Sequence, residues 1–149
     1  MKISRKTEYA FRCVWQLELH PERTATLTEL SETTGVPRSF LAKILQQLTA
    51  ASIVESFRGV HGGFRLAQSP EQTSLYEVYL QMEGPKAAAE QCAVSPEVCG
   101  ADGYCTLHPF WKGARDRFEQ LLRKATPGDG ETGFRSSFEP EKPREDPDV

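Results

Sequence analysis

Apolar residues near the start of the chain recur at intervals of three and four positions. The spacing i, i+3, i+4 and i+7 is that of one face of an α-helix, and it predicts a helix over residues 4–19. Ser4 is the expected N-cap, because its hydroxyl can accept a hydrogen bond from the first turn. Cys13 belongs to the apolar face, so we expect a buried structural thiol there. The apolar face consists of Ala10, Cys13, Val14 and Leu17.

Two further helical segments lie on either side of the break Gly35-Val36-Pro37. Glycine can adopt the left-handed conformation that ends a helix, and proline cannot continue one, so a tight turn is predicted. Thr26 or Thr28 is the expected cap of the first helix. The pattern is that of a helix-turn-helix, although a plain helical hairpin with a solvated polar face has the same pattern. The buried side of the second helix is predicted to hold Phe40, Leu41, Ile44, Leu45 and Leu48.

The second helix also presents polar side chains that suit a DNA major groove. Arginine and lysine can bind phosphates, and serine and glutamine can donate to base edges. The predicted DNA-binding residues on this helix are Arg38, Ser39, Phe40, Lys43 and Gln47.

A β-hairpin is predicted directly after the second helix. Two strand-like runs, Ile53–Phe57 and Phe64–Ala67, are joined by RGVHGG, whose glycines suit a turn. A hairpin in this position is typical of the wing of a winged helix-turn-helix. Arg58, His61 and Arg65 then supply positive or donor groups at or near the tip of the wing, where we expect contact with DNA.

Two more helices are predicted in the second half of the chain, over SLYEVYLQMEG and HPFWKGARDRFEQLLRKA. The last helix is strongly amphipathic and could pack on its own domain or on a second copy. We favour a dimerisation helix, since winged helices commonly read two half-sites through two-fold symmetry. The expected fold is mainly α with a small β-hairpin wing and a long C-terminal dimerisation helix. The expected organisation is a winged helix-turn-helix DNA-binding region (1–84), a cysteine-rich cluster-binding loop (85–108), the dimerisation helix (109–125) and a disordered acidic tail (126–149).

Charge is distributed unevenly along the 149 residues, although the net charge is only −3. Residues 1–70 hold nine Lys or Arg against six Asp or Glu, and residues 71–149 hold nine against fifteen. A basic first half favours an anionic partner such as nucleic acid. No apolar run is long enough for a membrane span and no secretory signal is apparent, so we expect a cytoplasmic protein without membrane contact, whose thiols stay reduced.

Three of the four cysteines and one histidine fall within CAVSPEVCGADGYCTLH, in the spacing C-x6-C-x5-C-x2-H. Closely spaced reduced thiols indicate a metal or redox site. Structural zinc sites favour closer C-x2–4-C knuckles, which are absent between these cysteines. An iron–sulfur cluster accepts a looser loop and prefers thiolate ligands. The proposed ligands are Cys92, Cys99 and Cys105, with His108 or Glu8 of the partner subunit in the fourth position.

Over about residues 1–125 the chain resembles the Rrf-type winged helix-turn-helix regulators, the bacterial family that includes IscR, NsrR and RirA. The resemblance rests on KISRKTEYAFR, GVPRSFLAKILQQL, SFRGVHGGFRLA, SLYEVYLQMEGP and the three-cysteine loop. It implies a dimeric transcription factor with Cys92, Cys99 and Cys105 as cluster ligands. His108 stands where IscR-like members have a histidine ligand, and Glu8 stands where NsrR-like members supply a carboxylate from the other subunit.

The function expected from these observations is repression of transcription. A homodimer would bind a double-stranded DNA operator, and an iron–sulfur cluster sensing iron, redox or nitric oxide status would tune that binding. A 2Fe–2S centre is favoured over 4Fe–4S if His108 is a ligand. The alternative is a winged-helix regulator that uses zinc or a thiol–disulfide switch. No small-molecule substrate is expected and no enzyme motif is present, since the sequence lacks C-x-x-C and phosphate-binding glycine loops.

Overall fold

The first half of the described chain is a helix-turn-helix followed by a hairpin. The computed structural model describes residues 3–84 and 107–129. Its elements in chain order are α1 (Arg5–Glu18), α2 (Leu27–Thr34), α3 (Arg38–Ala50), β1 (Val54–Phe57), β2 (Gly63–Leu66), α4 (Leu75–Glu83) and α5 (His108–Lys124), with short 3-10 turns at Pro70–Gln72 and Pro127–Asp129.

Helix α1 is the centre of the packing, since it contacts α2, α3, α4 and β2. Its predicted N-cap is confirmed, because the Ser4 side chain accepts a hydrogen bond from the Thr7 backbone N–H. Its apolar face is buried as the periodicity predicted. Cys13 is fully buried, and this burial raises the pKa of its thiol to about 12. The thiol is therefore a structural apolar group, not a nucleophile.

Helix α2 is capped at both ends, and the turn to α3 follows at once. Thr26 caps α2 in a capping box with Glu29, and Gly35 ends the helix in the left-handed conformation, with φ of 69°. The Ser31 hydroxyl then donates to the Val36 carbonyl oxygen at 2.7 Å. Val36 is buried, so the turn is tied to the core on its apolar side.

Helix α3 buries four of the five predicted apolar positions, and Phe40 is the exception. Its side chain is 58% exposed, so its placement on the buried side was wrong. Phe40 lies about a quarter of a turn from the centre of the buried face of α3, so it stands at the edge of that face beside the exposed Arg38 and Ser39. The four buried residues are Leu41, Ile44, Leu45 and Leu48.

The predicted hairpin is confirmed as an antiparallel pair, β1 with β2. It is joined to the chain before α2 by a bridge between Ala25 and Phe64, with N–O distances of 2.8 Å in both directions. Gly63 makes this approach possible: its φ is 155°, and an added Cβ would stand 2.7 Å from the Ala25 carbonyl oxygen. The hairpin is therefore fastened to the helix-turn-helix along a third segment.

The second half of α5 packs against α4 of the same chain. The rings of Tyr79 and Phe118 meet edge to face with centroids 6.0 Å apart, and Leu122 is buried. The Leu75 backbone N–H donates to the Ala125 carbonyl oxygen at 3.2 Å. Pro127 is also buried, so the packed chain continues past the point where the tail was predicted to begin.

The expected fold class, mainly α with a β-hairpin wing and a long C-terminal helix, is confirmed. Helix α5 begins at His108, the last residue of the predicted cysteine-rich loop. The three cysteines predicted as ligands, Cys92, Cys99 and Cys105, lie outside the described residues, as does most of the predicted tail.

Candidate nucleic-acid interface and ligand residues

The candidate DNA-reading surface lies on α3. All five predicted residues on this helix are exposed: Arg38, Ser39, Phe40, Lys43 and Gln47. Helix α3 contains two cations and no carboxylate, whereas α2 carries Glu29 and Glu32. The buried face of α3 holds the helix on the core, so its basic face is free to meet an anionic partner.

The N-terminus of α3 adds donors to this surface. Pro37 occupies the N-cap position, no side chain caps the helix, and no acidic residue lies in the first turn. Helix N-termini leave backbone N–H groups without intrahelical partners and carry a partial positive charge. This end of the helix therefore suits a phosphate group beside Arg38 and Ser39.

The tip of the wing presents three exposed side chains: Arg58, Val60 and His61. Val60 is the most exposed large apolar side chain in the part of the chain that the structure describes, at 98%. The His61 carbonyl oxygen accepts a hydrogen bond from the Thr24 hydroxyl at 3.0 Å, so the returning arm of the tip is held to the chain before α2. Val60 was not predicted from the sequence, although its position between Gly59 and His61 in the turn was a visible signal.

Arg65 differs from the other two wing residues in having partners within the hairpin. Its Nη2 lies 3.2 Å from Glu55 Oε2, and the guanidinium carbon lies 4.7 Å from the centre of the Phe57 ring. Glu55 and Arg65 are direct cross-strand partners in the register. Arg65 is therefore a partly neutralised side chain along the hairpin, while Arg58 and His61 stand at its tip.

Glu8, one of the two predicted fourth ligands, lies on α1 in an ion pair. Its Oε1 is 2.5 Å from Arg12 Nη2, and its side chain is 42% exposed. The Arg12 Nη1 also donates to the Thr34 carbonyl oxygen at 3.3 Å, at the end of α2. The carboxylate is thus accessible, and its arginine partner also contacts the helix-turn-helix.

His108, the other predicted fourth ligand, is exposed at the first position of α5. Within residues 3–84 and 107–129, no three His, Cys, Asp or Glu side chains come together in a way that could hold a metal ion. Any metal site at Glu8 or His108 therefore needs donors from outside these ranges, and the cysteine segment joining α4 to α5 contains thiols of the right kind.

No helix in the described ranges has the length and apolar character that crossing a membrane requires.

Comparison with known proteins agrees with this architecture. The chain is 32% identical over 127 residues to protein aau3 of Rhizobium meliloti, covering 85% of this chain and 82% of the relative. It is 28% identical to the regulator IscR of Aliivibrio salmonicida, covering 82% and 72%. CymR of B. subtilis, titled a global cysteine regulator, has a similar solved fold, with a TM-score of 0.73, 24% identity and coverage of 87% and 95%.

The Rrf2 family model, described as iron-dependent transcriptional regulator, matches residues 3–129. This match includes α1, the helix-turn-helix, the wing, the cysteine segment and α5. The resemblance drawn from the sequence motifs is thereby confirmed, and the chain belongs to the Rrf2 family of transcriptional regulators.

Proposed function

We propose that this regulator is a homodimeric repressor whose affinity for an operator depends on an iron–sulfur cluster. Residues 1–84 would bind double-stranded DNA, residues 85–108 would hold the cluster, and the helix predicted over 109–125 would join two copies. The main support for this proposal is the exposed basic face of α3, which lies beside a wing tip that bears Arg58 and His61.

DNA binding would use both parts of this surface. Lys43 and Arg38 would neutralise phosphates, and Ser39 and Gln47 would donate to base edges in the major groove. The wing tip would meet the backbone or minor groove beside it. Phosphate contacts dominate the affinity of such interfaces, so binding should fall steeply as salt rises.

Dimerisation is supported by the first half of α5. Leu107, which directly precedes α5, is 54% exposed and Phe110 is 79% exposed; in the second half, which packs on α4 of its own chain, Leu121 is 61% exposed. Several exposed large apolar side chains along one helix are typical of an interface. Two copies joined there would present two α3 helices to the two half-sites of one operator.

Cluster binding is supported by the chemistry of the available donors. Cys92, Cys99 and Cys105 would supply thiolates, and His108 or Glu8 of the partner subunit would supply the fourth ligand. A bound cluster would supply a centre that is sensitive to iron supply, oxidants and nitric oxide. Its binding would favour one arrangement of α1 and α5, because Glu8 lies on α1 and His108 lies on α5.

The test is anaerobic purification followed by visible absorption and circular dichroism spectra, with iron and sulfide assayed on the same sample. We expect a coloured protein with both elements, and a duplex selected from a random DNA pool should bind the loaded and cluster-free forms with different affinity. His108→Ala and Glu8→Ala should identify the fourth ligand, because only the ligand variant changes the spectrum. Protein that stays colourless after reconstitution would contradict the cluster.

A thiol or zinc regulator is the second candidate. The same three thiols could bind zinc or form a disulfide, and CymR, which has a similar fold, is titled a cysteine regulator. Stoichiometric zinc in colourless protein would support a zinc site. Reversible oxidation of metal-free protein that changes its affinity for the selected duplex would support a thiol switch. Either outcome leaves the DNA-binding proposal intact.

A further inference from the structure

The end of α4 is joined to the start of α1 by a set of polar contacts, which we call the Glu83 latch. Glu83 Oε1 accepts a hydrogen bond from the Ser4 backbone N–H at 3.0 Å and another from the Thr7 hydroxyl. In the opposite direction, Lys6 Nζ donates to the Met82 carbonyl oxygen at 3.0 Å. These partners are 76 or 79 residues apart in the sequence, so the latch is a long-range tertiary contact.

The latch matches the charges of the two helix ends. A carboxylate suits the N-terminus of α1 and an ammonium group suits the C-terminus of α4, because these ends carry opposite partial charges. Partial burial raises the pKa of Glu83, but the hydrogen bonds from Ser4 and Thr7 outweigh this effect and lower it overall. The carboxylate is therefore charged at neutral pH, and charge-assisted hydrogen bonds are the stronger kind.

The position of the latch in the chain suggests its role. Glu83 is the last residue of α4, and the chain turns at Gly84, with φ of 81°, into the segment that contains the three clustered cysteines. On the other side, Thr7 directly precedes Glu8 on α1. Arg12 then connects Glu8 to the Thr34 carbonyl oxygen at the end of α2. The latch thus joins the start of the cysteine segment to α1, which contacts the helix-turn-helix.

We infer that Glu83 is a positioning residue that couples the state of the cysteine segment to the affinity for DNA. The inference rests on the proposed function and names the contact through which its regulation passes. When the cysteine segment changes its conformation, the end of α4 moves with it, and the latch carries this movement to the first turn of α1.

If Glu83 only held the fold together, its replacement would separate α1 from α4 instead of changing the affinity for DNA. Helices α1 and α4 also pack through buried apolar residues, among them Val14, Val78 and Met82. This packing holds the two helices together without the carboxylate. Loss of the charge should therefore loosen the register of the two helix ends and leave the fold in place.

The experiment compares wild type with Glu83→Gln, each as the full chain in cluster-loaded and cluster-free form. The variant keeps the shape of the side chain and removes its charge. The readout is the ratio of the two dissociation constants for a duplex selected by the wild-type protein. We expect the ratio to move toward one by about fivefold or more, which is the lower range of measured allosteric couplings, while the visible spectrum stays unchanged.

Glu77→Gln is the matched control, since Glu77 is an exposed carboxylate on the same helix. It should keep the wild-type ratio. Should Glu83→Gln fail to fold, Thr7→Val removes one donor of the latch from a buried site with little change of shape, and it should move the ratio in the same direction. An unchanged ratio in the folded variant would overturn the inference while the proposed function stands. Equal affinity of both wild-type forms would overturn both.

Discussion

Lys43 is the single side chain on α3 whose contribution to DNA binding is easiest to isolate. It is exposed on a helix without carboxylates, so no neighbouring acid on that helix offsets its charge. We expect Lys43→Ala to weaken binding to all duplexes alike and to lower the slope of log affinity against log salt by about 1. Lys124→Ala, which removes an exposed lysine from α5, is the control. Unchanged affinity at moderate salt would contradict the placement of Lys43 at the interface.

The two wing arginines should differ in their effect on DNA binding. Arg58 is exposed at the tip, whereas Arg65 is paired with Glu55 and lies over the Phe57 ring. A guanidinium that already has a carboxylate partner gains less from a phosphate. We therefore expect Arg58→Ala to weaken binding more than Arg65→Ala in the same titration. The reverse order would mean that the Glu55 pair opens when DNA binds.

Residue environments were predictable where a local pattern determined them. Cys13 follows the helical period of α1 and is buried, and Ser4 and Thr26 cap their helices through contacts only three residues away. Phe40 stands at the edge of the apolar face of α3 and is exposed, although the next residue, Leu41, is fully buried. Periodicity locates the centre of a buried face, but not how far around the helix the core reaches.

At the scale of single elements, α2 shows how a cap links helix stability to pH. The Thr26 backbone N–H donates to Glu29 Oε2 at 2.6 Å, and this bond is the main cause that lowers the pKa of Glu29, followed by the Thr26 side chain. A carboxyl with a lowered folded pKa stabilises the fold above its ordinary value of 4.5, and the contribution is lost as pH falls through the folded pKa.

We therefore expect Glu29→Gln to lower the urea midpoint of unfolding at neutral pH and to match wild type in acid. The measurement is a series of unfolding curves from pH 7 downward. Glu32→Gln, which changes an exposed carboxyl on the same helix, should show no such convergence. A constant difference between wild type and Glu29→Gln at every pH would show that the charge of Glu29 does not contribute.

The helices and the hairpin were predictable because each repeats a periodic pattern over several residues. The bridge between Ala25 and Phe64 was not, since a single pair of residues has no period. The pairing of Glu55 with Arg65 depends on the register, which a glycine-rich connection does not determine by itself. The Glu83 latch joins residues almost eighty positions apart, and no local pattern indicates such a contact.

At the scale of the whole molecule, α5 packs unevenly along its length. Its second half packs on α4, and its first half leaves Phe110 79% exposed. We expect Phe110→Glu to convert a dimer to a monomer, because a carboxylate in an apolar interface is costly to desolvate. Sedimentation velocity would measure this. Val60→Glu makes the same kind of change at an exposed site on the wing and should leave the dimer intact, and a dimeric Phe110→Glu would place the interface elsewhere.

The contact of Gly63 with Ala25 has a consequence for the length of the operator. Because the wing is hydrogen-bonded to the chain before α2, we expect α3 and the wing to follow the double helix as one unit. Two such units on one dimer would demand a fixed helical phase between their half-sites. Inserting five base pairs, about half a turn of DNA, would rotate one half-site to the opposite side of the double helix. Only one of the two α3 helices could then remain bound.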